Sequence, residues 1–200
     1  MPLPHSFLAE MERLEAEELL PRLLHGEGII EQRSLLEVFL KRRGETIPCE
    51  RALNEAVIAQ GTIARLIGLD ASINGKPLTQ YYADGLIIAT PTGSTAYALS
   101  GGGPILHPSV DAVALVPMFP HKLSSRPIVV QSHSQIDILI SANNDMSPYV
   151  SCDGLNKKVI LPGSRLRVTR HEKILTLIHP TEYSYFTTLR EKLGWETHHP

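Results

Sequence analysis

Leu86-Ile87-Ile88-Ala89-Thr90-Pro91-Thr92-Gly93-Ser94-Thr95-Ala96-Tyr97-Ala98-Leu99-Ser100 joins a four-residue apolar run to a turn of hydroxyls and glycine. The run is too short for a helix and shows no polar alternation, so it reads as a strand buried on both faces. After the turn, Thr95–Ser100 can start a helix. Working outward, similar runs recur at short spacing: Ser34–Leu40, Ala52–Ile58, Ala112–Val116, Ile128–Val130 and Lys173–Ile178. Gln135–Ile140 sets Ile136, Ile138 and Ile140 at every second position, and Ser164–Arg170 alternates strictly, as a half-exposed strand does. Asn74-Gly75, between Ala71-Ser72-Ile73 and Pro77-Leu78, predicts a hairpin, because both turn residues tolerate positive φ. Gln60-Gly61 predicts a turn into Thr62–Leu69.

From Leu8 to Leu24, apolar residues at three- and four-residue spacings alternate with glutamates, which predicts an amphipathic helix. Pro21 predicts a break within it, and Gly26 and Gly28 its end. Tyr183–Leu193 predicts a closing helix, followed by a polar tail. Roughly ten short strands with helices mostly at the ends predict a mainly β (α+β) chain. The expected fold is a β-sandwich with peripheral helices, not a βαβ array.

Composition narrows the function classes. Lys plus Arg number 19 and Asp plus Glu 21, for a net charge of −2, so bulk positive charge is not available to hold nucleic acid. With 42% apolar residues the chain can bury a sizeable core. No run reaches the ~18 apolar residues of a membrane span. Met1-Pro2-Leu3-Pro4-His5 has no basic segment leading into an apolar one, so no secretory leader is expected. Cys49 and Cys152 predict two reduced thiols in the cytosol, not a disulfide framework or a metal knuckle.

The hydroxyl-rich turn is the first candidate for chemistry. Free amides and hydroxyls between a strand and a helix suit a phosphate or a ribose, and Gly101-Gly102-Gly103 would let a ligand approach the backbone. The alternative is that Ser94 or Thr95 merely caps a helix. It is not a nucleotide-binding Walker loop, since no lysine lies between Lys76 and Lys122. Asn54-Glu55 is the second candidate. A carboxylate and an amide together match the two hydroxyls of a ribose, whereas the plainer reading is an edge strand with both groups solvated. Asp84 stands at the mouth of the Leu86 strand, either as a turn residue or as a carboxylate for a ligand. Cys152-Asp153-Gly154 reads as a turn. His107, His121 and His133 show no metal spacing.

Together these stretches resemble the NAD kinase family, ATP-dependent enzymes that phosphorylate the 2′-hydroxyl of the adenosine ribose of NAD to give NADP. The motifs that carry the resemblance are Ala52-Leu53-Asn54-Glu55, Ala83-Asp84-Gly85, Thr90-Pro91-Thr92-Gly93-Ser94-Thr95-Ala96-Tyr97 and Ser100-Gly101-Gly102-Gly103-Pro104. Val116-Pro117-Met118-Phe119-Pro120-His121, Leu123-Ser124-Ser125-Arg126-Pro127 and the ending Ile178-His179-Pro180 through Trp195 match as well.

The resemblance implies a dinucleotide site. Asn54 and Glu55 are its NAD-binding pair. Asp84, Thr95, Ala96, Tyr97 and Ser100 contact the adenosine parts, with Ala98 and Leu99 beside them and Tyr97 able to stack on a base. Arg65 and Tyr82 occupy positions of further contacts. Leu155 stands where the family commonly has glutamine. ATP as donor, NAD as substrate, a divalent metal such as Mg, a homodimer or homotetramer with a shared pocket, and a cytoplasmic location are also implied, with no nucleic acid or membrane partner.

The family's Gly-Gly-Asp-Gly motif, whose Asp is taken as the base, is absent from these 200 residues. Ser6-Phe7-Leu8-Ala9-Glu10 resembles the junction that follows that motif's domain. The expected organisation is therefore a helical lead-in over 1–30, a β-rich NAD-binding domain over 31–180, and a helix and tail over 181–200. No catalytic residue is assigned within the chain. Alternatives are an NAD-binding and oligomerisation module without catalysis, and a related lipid kinase.

Overall fold

A computed structural model describes residues 13–42, 44–60 and 66–195. In chain order the elements are α1 (Arg13–Leu24), β1 (Ile29–Arg42), β2 (Glu45–Ala52), β3 (Glu55–Ala59), β4 (Ile67–Ile73), β5 (Lys76–Ala83) and β6 (Gly85–Ala89). A 3-10 turn (Gly93–Thr95) and α2 (Tyr97–Ser100) follow. The rest are β7 (Ala112–Met118), β8 (Ile128–Gln131), β9 (Ile136–Ile140), β10 (Tyr149–Cys152), β11 (Leu155–Val159), β12 (Arg165–His179) and α3 (Tyr185–Leu193). The chain is mainly β. Its strands form two six-stranded sheets, ordered β2-β1-β12-β9-β4-β5 and β11-β10-β3-β6-β7-β8, and the described registers are antiparallel.

The second sheet explains why the Leu86 run is apolar at every position. One face of β3, β6 and β7 turns Ile58, Leu86, Ile88 and Leu115 toward Leu36, Val38, Leu69 and Ile138 of the first sheet. The other face carries Val57, Ile87, Ala89, Ala114 and Val116, and is covered by Ala98 of α2 and by Leu106. Both faces are dry, so no alternation is possible. Each fully buried Leu or Ile here contributes about 1.5–3 kcal/mol. In the first sheet Arg165–Thr169 alternates as expected, whereas in β9 Asp137 is buried like Ile136, Ile138 and Ile140 because it pairs with Arg167.

Asn74 and Gly75 form the expected hairpin turn between β4 and β5, with φ of 51° and 76°. Several boundaries differ from expectation. Ala52–Ile58 is not one strand: Ala52 closes β2, Leu53 and Asn54 bend, and Glu55 opens β3. The two strands expected over Ser164–Arg170 and Lys173–Ile178 are the single β12, whose second half is mostly exposed. The strands β2, β10 and β11 were not expected. β2 holds Pro48 and is an edge strand, where a missing N–H is tolerated, and β11 is an exposed edge carrying Lys157 and Lys158. Pro21 lies inside α1 without ending it. Gly194, at φ 65°, closes α3 while Trp195 N–H donates to Arg190 O. Residues 1–12, which hold the start of the expected first helix and the junction-like segment, and 61–65, which hold Gly61 of the expected turn and the start of the expected Thr62–Leu69 run, lie outside the described residues.

The chain divides into two compact units, residues 33–175 and residues 1–32 with 176–200. Within the latter, His179 pairs with Glu31 at 2.8 Å and stacks on Tyr183 with ring centroids 3.9 Å apart. Within the former lie both cores just described and the candidate site.

Candidate functional site

Three segments distant in sequence meet at one end of β3. The Leu53-Asn54 bend enters the strand. The turn after β6 runs beside it, because Glu55 pairs with Ala89 across the sheet. On the other flank, the Asp153-Gly154 hairpin between β10 and β11 has φ of 49° and 73°, the geometry of a tight two-residue turn. The Asp153 carboxylate accepts from three successive backbone N–H groups: Leu53 at 2.7 Å, Asn54 at 2.8 Å and Glu55 at 3.0 Å. Its own N–H donates to Glu55 O at 3.0 Å.

The turn after β6 grips the same bend from the opposite side. Thr90 N–H donates to Asn54 O at 2.8 Å, and Thr90 Oγ1 donates to Leu53 O at 2.6 Å and accepts from Gly93 N–H at 3.1 Å. Gly93 presses on the Asn54 backbone, where a Cβ would meet Asn54 O at 2.1 Å. Ser94 is fully buried. Its hydroxyl donates to Pro91 O at 2.6 Å and accepts from Leu106 N–H at 2.9 Å. Arg33, buried on β1, donates to Thr92 Oγ1 at 3.2 Å.

This bonding corrects two expectations. The turn is not an open cradle of free amides: Gly93, Ser94 and Ala96 N–H groups are spent on Thr90, Pro91 and Gly93. Nor do Ser94 and Thr95 cap a helix. Both hydroxyls donate backward, Thr95 to Thr92 O at 3.2 Å, and neither short helix has a side-chain cap. The glycine triplet serves packing more than ligand access. A Cβ on Gly101 or Gly103 would crowd Val116 at 3.1 and 2.8 Å, and Gly102 takes a φ of 79°. The turn is a rigid platform whose exposed parts are side chains.

Glu55 is not on a solvated edge. β3 lies between β10 and β6, and the Glu55 side chain is buried with Oε2 unpartnered. Burial first, and the neighbouring Asp153 charge second, push its carboxyl up to about 7, against the opposing pull of the Tyr97 N–H. Near neutral pH this group both donates and accepts. Asn54 is half-buried beside it. The Tyr97 ring is 46% exposed, while Thr95, Ala96 and Leu99 are partly exposed, Ala98 is buried and Ser100 is exposed. The 3-10 turn thus stands at the end of the second sheet that holds Asn54 and Glu55, and α2 runs on over the face of β6 and β7 toward Ile87 and Val116.

Asp84 and Tyr82 do not. Asp84 precedes β6, and its O accepts from Gln60 N–H, at the end of β3 remote from Glu55. At a strand rise of about 3.3 Å per residue, Asp84 and Thr90 lie roughly 20 Å apart. Around Asp84 are Tyr82, whose O accepts from His121 N–H, and Phe119, which is 79% exposed at a φ of 44°. Arg65 lies outside the described residues. Sequence reading missed Asp153, Thr90 and Arg33. An Asp-Gly turn was visible, but nothing in it shows which backbone, about a hundred positions away, its carboxylate faces.

Comparison with known proteins places these features in context. Residues 53–180 match the family model described as the ATP-NAD kinase C-terminal domain. The chain is 45% identical over 192 residues to the NAD kinase of Teredinibacter turnerae, covering 96% of this chain and 66% of that protein. It is 49% identical over 191 residues to that of Chromohalobacter salexigens, covering 96% and 65%. It is 53% identical over 174 residues to that of Coxiella burnetii, covering 87% and 58%. The chain therefore spans somewhat less than two thirds of the length of these curated relatives. Among solved structures, yeast NADH kinase complexed with NADH superposes with a TM-score of 0.89 at 28% identity, over 97% of this chain and 58% of that one. An NAD kinase from Archaeoglobus fulgidus shares the fold, with a TM-score of 0.76 at 22% identity over 96% and 70%.

Proposed function

Because the chain belongs to the NAD kinase family, through the C-terminal domain of that family, we propose that it forms the dinucleotide-binding part of an NAD kinase. The reaction is transfer of a phosphoryl group from ATP to the 2′-hydroxyl of the adenosine ribose of NAD, giving NADP. The family match sets the lipid-kinase alternative aside. The observation that carries the proposal is the double clamp on Leu53-Asn54, which holds an amide and a buried, half-satisfied carboxyl beside the platform bearing Tyr97.

In this reading Asn54 and Glu55 take ribose hydroxyls, and Tyr97 stacks on a base with Thr95, Ala96, Ala98, Leu99 and Ser100 as its floor. The NADH held by the yeast relative supports a dinucleotide as ligand. Asp84 and Tyr82 serve the pocket of a neighbouring copy in a homodimer or homotetramer, and Arg65 remains a position of a further contact. The roughly 20 Å between Asp84 and Thr90, which flank β6, supports that division.

Phosphoryl transfer depends on positioning, charge neutralisation and an oriented nucleophile. The residues of this chain supply positioning. Among its described residues no three His, Cys, Asp or Glu side chains converge as a metal site. In this reading a divalent ion such as Mg accompanies the phosphates of ATP. The Gly-Gly-Asp-Gly base is not among these 200 residues. Among the described residues no helix is long and apolar enough to cross a membrane. A cytoplasmic location remains part of the proposal.

Titration calorimetry with NAD on the purified chain tests the site. Tyr97→Ala and Asp84→Asn are each expected to weaken binding, and unchanged affinity in both defeats the assignment. A coupled assay on the same chain is expected to show turnover far below that of a protein containing Gly-Gly-Asp-Gly.

A further inference from the structure

Leu53 and Asn54, in the bend after β2, and Glu55, the first residue of β3, present three successive N–H groups. Without a partner these part-buried donors would be costly. One carboxylate takes all three, from a hairpin about a hundred residues downstream. We infer that Asp153 is a positioning residue, one that fixes the Asn54–Glu55 pair in the posture that receives the ligand. This deepens the proposed dinucleotide site and rests on it.

The positive φ of Asp153 and Gly154 is what their two-residue turn asks of any occupant, and Asp-Gly suits it. What sets Asp153 apart from an ordinary turn residue is where its carboxylate goes, to three N–H groups beside the candidate pair. Glu55 Oε2 is buried with no partner, so the pair is held short of full satisfaction, as a site awaiting a hydroxyl is. The groups that face Glu55 are the Asp153 carboxylate on one flank and the Tyr97 N–H and the uncharged Thr90 turn on the other. Asp153 is thus the ionisable neighbour whose charge disfavours a second charge at Glu55.

The test compares the chain with its Asp153→Asn variant. Asparagine tolerates the same φ but offers one acceptor oxygen, turns an N–H2 toward the N–H donors, and removes the charge. Two readouts are taken: the Glu55 side-chain carboxyl titration by carbon NMR, without ligand, and the Kd for NAD across pH 6–8. The expected result is that the Glu55 midpoint falls toward the usual carboxylate range while NAD affinity drops about tenfold, the scale of one lost charge-assisted hydrogen bond. A variant that folds with the Glu55 midpoint and the NAD pH profile both unchanged overturns the role. If the wild-type chain binds no NAD yet the midpoint still moves, the dinucleotide reading falls and the coupling of Asp153 to Glu55 stands. Should the variant not fold, hydrogen exchange of the wild type decides. Leu53 and Asn54 amides as slow as those of β3 support the clamp, and free-loop rates refute it.

Discussion

Gly93 and Asn54 touch backbone to backbone: a Cβ on Gly93 would meet Asn54 O at 2.1 Å and its carbonyl carbon at 2.4 Å. The two motifs that looked separate in sequence are therefore one piece of structure, and glycine at position 93 is a condition of their meeting.

Gly93→Ala is expected to destabilise the chain by about 3 kcal/mol or more, because the opposing atoms are backbone and cannot rotate away. Urea unfolding measures it. A loss below about 1 kcal/mol would show that the contact is looser than described.

Ser94→Ala removes a hydroxyl that serves Pro91 O and Leu106 N–H inside a fully buried turn. The stranded partners predict a cost of about 1–3 kcal/mol. The same unfolding measurement, with Ser100→Ala as an exposed control, checks it.

Glu55 makes stability depend on pH. Its carboxyl is raised from 4.5 to about 7 in the folded chain, so the folded state holds a proton that the unfolded state has released. The stabilisation is fully present below about 4.5, declines as pH rises, and is gone above about 7. The full swing is about 3 kcal/mol. Glu55→Gln is expected to abolish the decline between pH 5 and 7. A wild-type curve that rises over that window as steeply as that of the variant refutes it.

Burial pushes the Cys152 thiol up to about 12 and raises that of Cys49 as well, and neither cysteine is in a disulfide. Both are expected to resist iodoacetamide at pH 8 in the folded chain and to react once it is unfolded. Mass spectrometry before and after urea reads the difference.

The sequence made the mainly β architecture legible where burial left a local signature. Leu86–Ala89 had no polar residue because both its faces are covered, and Asn74-Gly75 had the φ preference its turn demands. β11 was illegible because all five of its residues are exposed, so Leu155 and Val159 flank Asn156, Lys157 and Lys158 with no alternation to mark a strand. The Asn54-Glu55 pair was legible as chemistry but not as place. Its own segment resembles a solvated edge, and only the pairing of β3 between β10 and β6 buries it. The hydroxyls of the turn stand out in the sequence, yet their bonds run inward, a direction no linear pattern encodes.

The reach of β6 has a genetic consequence. If a pocket takes Tyr97 from one copy and Asp84 from another, a chain damaged at one end of the strand and a chain damaged at the other fail separately. Mixed in one assembly, they leave some pockets built wholly from sound halves. Co-expressed Asp84→Asn and Tyr97→Ala chains are then expected to recover a fraction of NAD binding that neither recovers alone.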